Sequence, residues 1–312
     1  MLSLPTYDLN HLEENRVALL KNTDQIPLLN RAVSAYPPGS AIKPVMAAAG
    51  LTEGVITPTD TITCNGYLFP NRPTIFRCME VHGPMQLVDA LKHSCNVYFY
   101  TVGMRLGLKR ELDWFDIFGI GRATGVELNE SDGVIPDRKD LQDAEASKTE
   151  SIFLGIGQGR VSATPLQMAS AYATLLRGGE FVRPHLLAGA TIEGSRRTSL
   201  SAGVLANVRE GMEKVTQSGG TAGKVFAGMR LPVGGKTGSA TTGRMITVNG
   251  ERIAGDTDAW FVGYAPADHP QYVIAAVKEF GGHGGDRAAP IVKQVLLLME
   301  KQGYLPKLDV SE

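Results

Sequence analysis

Tyr36-Pro37-Pro38-Gly39-Ser40-Ala41-Ile42-Lys43 is the stretch on which the reading of this chain turns. Two prolines and a glycine make an extended arm and a turn that stop at a helix start. Ser40 suits the N-terminal position of a helix over Ala41 to Ala49 that Gly50 closes. Three residues are nearly one helical turn, so Lys43 stands on the face of Ser40. A serine hydroxyl is a poor nucleophile until a neighbouring base takes its proton. A lysine becomes that base when burial and a nearby cation lower its pKa. The helix N-terminus adds donors where negative charge develops on an acyl oxygen. Alone, the same residues also describe an ordinary helix-capping serine with a surface lysine.

Two further strings work outward from this one. Ser94-Cys95-Asn96 connects a helical stretch, Met85 to His93, to an apolar one, Val97 to Leu106. From such a connection Ser94 can relay a proton between Lys43 and a departing group, and Asn96 can hold a substrate amide; both are equally common as helix caps. Lys236-Thr237-Gly238 lies within Val233 to Ala240, whose small residues suit a strand edge that a ligand backbone approaches closely. Lys236 and the hydroxyls of Thr237 and Ser239 suit a substrate carboxylate. A backbone N–H near Ser239 can complete an oxyanion hole with that of Ser40. Gly235-Lys236-Thr237 also fits the tail of a phosphate-binding loop, but Arg230 stands where that motif needs glycine, so a nucleotide site is excluded.

In this order and at these separations the three strings resemble the motif set of penicillin-binding proteins and serine β-lactamases. The chain is most similar to the transpeptidase domain of class B penicillin-binding proteins, elongation-type subgroup (penicillin-binding protein 2). Ser3 to Asp8, Asn30-Arg31-Ala32, Tyr36 to Pro44, Gly155 to Gly159, Thr164 to Met168, Arg183-Pro184-His185 and Ala259 to Pro266 carry the same likeness, which spans nearly the whole chain. The resemblance implies an α+β fold: an antiparallel sheet flanked by helices, plus an all-helical lobe, with residues 1–312 forming one transpeptidase domain. It implies Ser40 as acylated nucleophile, Lys43 as its base and Ser94 as relay. Asn96, Lys236, Thr237, Gly238 and Ser239 are then substrate-binding. The implied reaction is D,D-transpeptidation of peptidoglycan stem peptides with release of terminal D-Ala, needing no catalytic cofactor and blocked by β-lactams. The implied setting is the bacterial inner membrane, with the catalytic part outside the cytoplasm beside a membrane glycosyltransferase and other elongation-complex proteins.

Glu127-Leu128-Asn129-Glu130 is similar to the loop of class A β-lactamases that carries the deacylating glutamate. The position of that glutamate is Gly125 here. Without a base to activate water, a penicilloyl adduct is expected to persist. The competing readings are a D,D-carboxypeptidase or β-lactamase, which needs fast deacylation, a β-lactam sensor domain, and an inactive scaffold.

Cys64, Cys78 and Cys95 are the only cysteines, an odd count that cannot all pair, and His82 lies among them. Cys-Cys-His-Cys is a good tetrahedral zinc set, set against one disulfide or buried free thiols. The resemblance adds that some members of the subgroup carry a metal in this region. Cys95 lies between Ser94 and Asn96, so in an extended connection its side chain points away from theirs. Zinc there is structural, fixing the second motif from behind.

With 312 residues, 43% hydrophobic and formal net charge −1, the chain has ample core, and its charge argues against nucleic acid. No run approaches the roughly 18 apolar residues of a membrane span, and no signal peptide opens the chain. The family carries an N-terminal anchor and a pedestal domain, and Met1 to Pro5 resembles the end of a sheet strand, so the chain reads as a fragment lacking an edge strand. Asp258 to Ala265 and Gln271 to Glu279 alternate as a hairpin joined by Pro266 to Pro270. Asp286 caps a final amphipathic helix to about Gln302, with Pro290 near its first turn and Ile291, Val295 and Leu298 on one face. Helices over Pro84 to Leu106 and Pro165 to Leu176 build the lobe. Trp260 and Phe261 read as core, His93 and His185 as structural or surface residues, and Gly281 to Gly285 as a loop beside the site. Asp256 and Asp258 are weaker candidates for the cleft.

Overall fold

The structure, a computed structural model, describes residues 1–190, 196–198, 200–243, 245–248, 251–254 and 257–305. Its sheet is antiparallel, with Gly234–Thr241 on one edge, Thr257–Ala265 in the centre and Tyr272–Lys278 beyond. Lys236 pairs with Val262, Gly238 with Trp260, and Ala259 with Lys278. The central strand is buried on both faces, which is why it reads as a nearly unbroken apolar run. Trp260 faces the helical core, and Phe261 faces the helix Ala289–Lys301. The hairpin expected from the alternation is present with its ends shifted by a residue or so.

The helical lobe gathers Leu87–Lys92, Asn96–Leu106, Leu108–Phe118, Ala144–Leu154 and Pro165–Leu176. The last begins where expected: Thr164 caps it, and Gln167 completes a capping box with Thr164. Between lobe and sheet runs the helix Lys43–Thr52, almost wholly buried and preceded by a 3-10 turn over Gly39–Ile42.

Several local expectations are corrected. Gly50 does not close its helix: a side chain there would press within 3.1 Å of Ile56 and Val102, so it serves close packing. The stop is Gly54 at φ +65, where the Val55 N–H reaches the Gly50 carbonyl and the Gly54 N–H that of Leu51. Gly83-Pro84-Met85 pairs with Ile62–Cys64 as a strand instead of beginning a helix. The C-terminal helix is broken at Ala288, just before Pro290, and Asp286 sits in the short helix Gly284–Arg287 instead of capping the long one. The long helix buries Val292 and Leu296 and exposes Ile291 and Leu298, one position round from the face expected. Met1 to Asp8 forms no strand. No described helix is long and apolar enough to cross a membrane.

One carboxyl group in the lobe is buried without an ion-pair partner among the described residues. Glu111 is fully buried, and neither carboxyl oxygen finds a hydrogen-bond partner among the described residues. The nearby Ser151 hydroxyl is committed to the Gly103 carbonyl at 2.6 Å. Burial therefore pushes the Glu111 pKa well above its ordinary 4.5, only partly opposed by Ser151. A raised carboxyl pKa means that the folded chain keeps a proton which the unfolded chain releases. Stability from this group is thus lost as pH climbs from about 4.5 towards the folded-state value. Glu111→Met is expected to raise stability at pH 8 by roughly 1–2 kcal/mol, a few degrees in Tm, and by less at pH 5. Thermal melts at the two pH values check this.

Candidate active site

Ser40 sits half-exposed in the 3-10 turn, and the approach of that turn to the edge strand depends on two glycines. Gly39 has φ +52, and a Cβ there would stand 2.7 Å from the Ser239 carbonyl oxygen. A Cβ on Gly238 would stand 2.9 Å from the Pro38 carbonyl oxygen and 3.0 Å from the Ala41 nitrogen. Any side chain at either position forces the turn off the strand. Because the Ser239 carbonyl points at the turn, its N–H leaves the strand on the same side. Ser40 and Ser239 thus border one space with backbone donors available to it.

Lys43, first residue of its helix, is fully buried. Its Nζ donates to the Ser94 carbonyl oxygen at 2.8 Å, Ser94 Oγ at 3.2 Å and Asn96 Oδ1 at 2.7 Å. It also lies 5.4 Å from the centre of the Phe99 ring. Among the described residues no hydrogen bond joins Lys43 to Ser40; the lysine is held by the second motif. Ser94 adopts φ +56, a strained conformation for a residue other than glycine, which brings both of its oxygens to the ammonium. Asn96 is the first residue of its own helix, not part of the connection. Burial lowers the Lys43 pKa to about 8, opposed first by the negative charge of the Cys78 thiolate. No cation contributes to this lowering; the charge of Lys43 acts instead on the other lysine.

That lysine is Lys236, also fully buried, its Nζ donating to the Thr237 carbonyl oxygen at 3.0 Å. Burial first, and the charge of Lys43 second, hold its pKa well below the usual range. Two buried lysines share this space with no carboxylate partner among the described residues, a setting that an anionic group relieves. Thr237 Oγ1 lies 2.7 Å from Thr221 Oγ1, and the Gly284 N–H donates to Ser239 Oγ at 3.2 Å. Gly284 belongs to the loop Gly281 to Gly285 expected beside the site, whereas Thr221 carries no motif and is brought to Thr237 only by the fold.

The four metal candidates also converge. Cys64, Cys78 and Cys95 are buried free thiols, and with His82 they bring their donor atoms within 4.8 Å of one another. His82 Nδ1 is 3.5 Å from both Cys64 Sγ and Cys78 Sγ. A zinc tetrahedron with bonds of about 2.0–2.3 Å has ligand separations near 3.5–3.8 Å, so the donor set fits. The Cys95 thiol and the N–H groups of Asn96 and Val97 hold the Cys78 thiol down at about 4, while its hydrogen bond to Cys78, then burial, raises Cys95. Cys95 caps the helix on which Asn96 is first, and the Asn96 N–H donates to Cys78 Sγ at 3.1 Å. The cluster therefore lies directly behind Ser94 and Asn96.

Other candidates lie elsewhere. Asp258 is buried and accepts from the Phe280 N–H at 3.0 Å, so it braces a loop; Asp256 lies outside the described residues. Glu127 accepts from the Leu186 N–H and ties its loop to the segment after Arg183, whereas Glu130 accepts from Thr124 and the Gly125 N–H within its own loop. His93 caps a helix end, 6.0 Å from the His82 ring.

A buried lysine held by one short polar motif, beside a strand that a serine turn can touch only through glycine, is the arrangement of the penicillin-binding transpeptidases. The family model of the penicillin-binding protein transpeptidase domain matches residues 1–297, and the chain belongs to this family. Haemophilus influenzae peptidoglycan D,D-transpeptidase MrdA is 34% identical over 95% of this chain and 50% of its own length. The chain thus spans about half the length of that relative. Pseudomonas aeruginosa PBP2 in complex with WCK 5153 superposes with TM-score 0.83 at 33% identity, covering all of this chain and 71% of that one. PBP2 from Helicobacter pylori in complex with MreC superposes with TM-score 0.84 at 26% identity, covering 97% and 57%.

If Lys43 is the base for Ser40, only its neutral form works. Acylation of Ser40 by penicillin is therefore expected to rise with pH, level off above about 8 and fall about tenfold per unit well below it. Rate constants for adduct formation measured from pH 6 to 9.5 check this.

Proposed function

We propose that this chain is the catalytic domain of a peptidoglycan D,D-transpeptidase of the elongation type. Lys43 removes the proton from Ser40 Oγ, which attacks the carbonyl carbon of the penultimate D-Ala of a stem peptide. The N–H groups of Ser40 and Ser239 receive the developing oxyanion. Ser94 passes the proton to the departing D-Ala amine as the peptide bond breaks. Asn96 holds the substrate amide; Lys236, Thr237 and Ser239 hold the terminal carboxylate beside Gly238. The amine of a second stem peptide then attacks the acyl-enzyme and loses its proton to Lys43, which returns it to Ser40 Oγ as the ester bond breaks. The observation that carries this reading is the buried Lys43 ammonium gripping Ser94 and Asn96 at 2.7–3.2 Å beside the Ser40 turn.

Hydrolysis as the main outcome has less support. A β-lactamase or carboxypeptidase needs a base for water, and the loop carboxylates of Glu127 and Glu130 are engaged by the backbone N–H groups of Leu186 and Gly125. The second line of the reading is structural zinc on Cys64, Cys78, His82 and Cys95. Cys64, Cys78, His82 and Cys95 would hold the metal, which would supply positive charge to the thiolates; Cys95, standing between Ser94 and Asn96, would then be fixed from behind the Lys43 contacts. We place the full-length protein at the bacterial inner membrane with this domain outside the cytoplasm. Its partners are a membrane glycosyltransferase and elongation-complex proteins, as the MreC complex of the Helicobacter pylori relative supports.

Purified chain exposed to penicillin is expected to gain one drug mass that persists for hours, and Ser40→Ala to gain none. Turnover of drug without a lasting adduct overturns the transpeptidase reading. The chain is expected to hold about one zinc by elemental analysis. Removing it is expected to slow acylation at least about tenfold and lower Tm; unchanged acylation by metal-free folded protein overturns the zinc assignment.

A further inference from the structure

The arm that delivers Ser40 is tied to the far end of the sheet by a polar contact outside the site. Tyr36 is only 3% exposed, and its hydroxyl donates to Glu279 Oε1 at 3.0 Å. The other carboxylate oxygen, Oε2, accepts from Arg31 Nε at 2.9 Å, in a pair whose side chains are 14% and 19% exposed. Arg31 in turn donates from Nη2 to the Gln25 carbonyl at 2.9 Å and from Nη1 to that of Ile26 at 3.3 Å. The carboxylate is therefore held in one orientation by a guanidinium that is itself held.

Both ends of this contact lead to the chemistry. On one side Tyr36 exchanges backbone hydrogen bonds with Ala163 and sets its ring edge against Trp260, 6.2 Å between centres. The Trp260 Nε1–H donates to the Pro37 carbonyl at 2.9 Å, and the Gly39 N–H to that of Gly157 at 3.0 Å. Between Tyr36 and Ser40 stand Pro37 and Pro38, whose rings lock φ, and Gly39, which its bond to Gly157 and its contact with the Ser239 carbonyl hold in place, so a shift at Tyr36 reaches Ser40. On the other side Glu279 is at the root of the segment Phe280 to Gly284. That segment is pinned through Phe280 to Asp258 and through Gly282 to the Thr257 carbonyl, and its Gly284 N–H reaches Ser239 Oγ.

We propose that Glu279, clamped by Arg31, is a positioning residue for acylation: through the Tyr36 hydroxyl it sets the Ser40 arm at a fixed distance from the strand that carries Ser239. This rests on Ser40 being the nucleophile. Neither Glu279 nor Arg31 touches substrate in this role. They act by keeping the attacking oxygen and the two oxyanion donors in register, where displacements near 1 Å cost up to about a hundredfold in rate.

The test uses the full chain and benzylpenicillin, with the acylation rate constant separated from the dissociation constant of the preceding complex by stopped-flow. Tyr36→Phe keeps the buried ring and loses only the hydroxyl. It is expected to lower the acylation rate constant about tenfold, with the dissociation constant unchanged within about twofold. Glu279→Ala is expected to lower it at least as far, and Glu279→Gln, which still accepts from Tyr36, to recover part of the loss. Combining Tyr36→Phe with Glu279→Ala is expected to add little to either change alone, because both break one contact. Folded variants that acylate at the wild-type rate overturn the proposal, as does a rate loss that follows Tm alone. If Glu279→Ala does not fold, Tyr36→Phe decides. A wild-type chain that takes up no penicillin overturns the role of Ser40 and this proposal together, whereas an acylated wild type with unaffected variants overturns this proposal alone.

Discussion

Burying the ammonium of Lys43 is the constraint on which the rest of this structure depends. A buried cation without partners costs several kcal/mol, and three oxygens from Ser94 and Asn96 meet this one. Those oxygens converge only because Ser94 takes a left-handed conformation and Cys95 turns the chain into the helix Asn96–Leu106. The strain at Ser94 and the burial of Lys43 thus stabilise each other, and the same burial lowers the lysine pKa towards the range in which it can accept a proton. Stability and chemistry ask for the same three contacts.

The second wall of the site follows a steric rule. The edge strand Gly234–Thr241 meets the Ser40 turn at backbone distance, which only Gly39 and Gly238 allow. The strand is held in turn by pairing with Thr257–Ala265, whose Trp260 ring nitrogen reaches back to the arm at Pro37. Serine, lysine and strand are therefore set by one frame, and loop residues such as Thr221 and Gly284 fill in hydroxyl and amide contacts around Thr237 and Ser239. The Cys-His cluster sits behind the corner between Ser94 and Asn96, so what happens there acts on the Lys43 contacts without touching substrate.

Much of this was legible in the residues. The three polar strings, the cysteine and histidine set, the hairpin around Pro266 and the helix beginning at Pro165 all follow from local rules: helical spacing, alternation, capping and thiolate chemistry. The errors were local too. Gly50 reads as a stop, yet its missing side chain is used by Ile56 and Val102. Gly83 to Met85 reads as a helix start, yet the strand Ile62–Cys64 claims it. In both places a neighbour distant in sequence outbids the local preference.

What the sequence by itself determined is the chemical inventory and its order along the chain: a serine and lysine one turn apart, a serine and asparagine around a cysteine, a lysine in a glycine-rich strand. Only the tertiary structure decided which of these groups meet and in what electrical state. Lys43 faces Ser94 and Asn96, with no hydrogen bond to Ser40; Lys236, not Lys43, carries the electrostatic burden of a second cation; Glu111 is stranded in an apolar lobe. The reason is physical. Spacing along a helix or strand is a local property that side-chain size and backbone sterics set, whereas burial and pairing depend on which distant surface closes over each group.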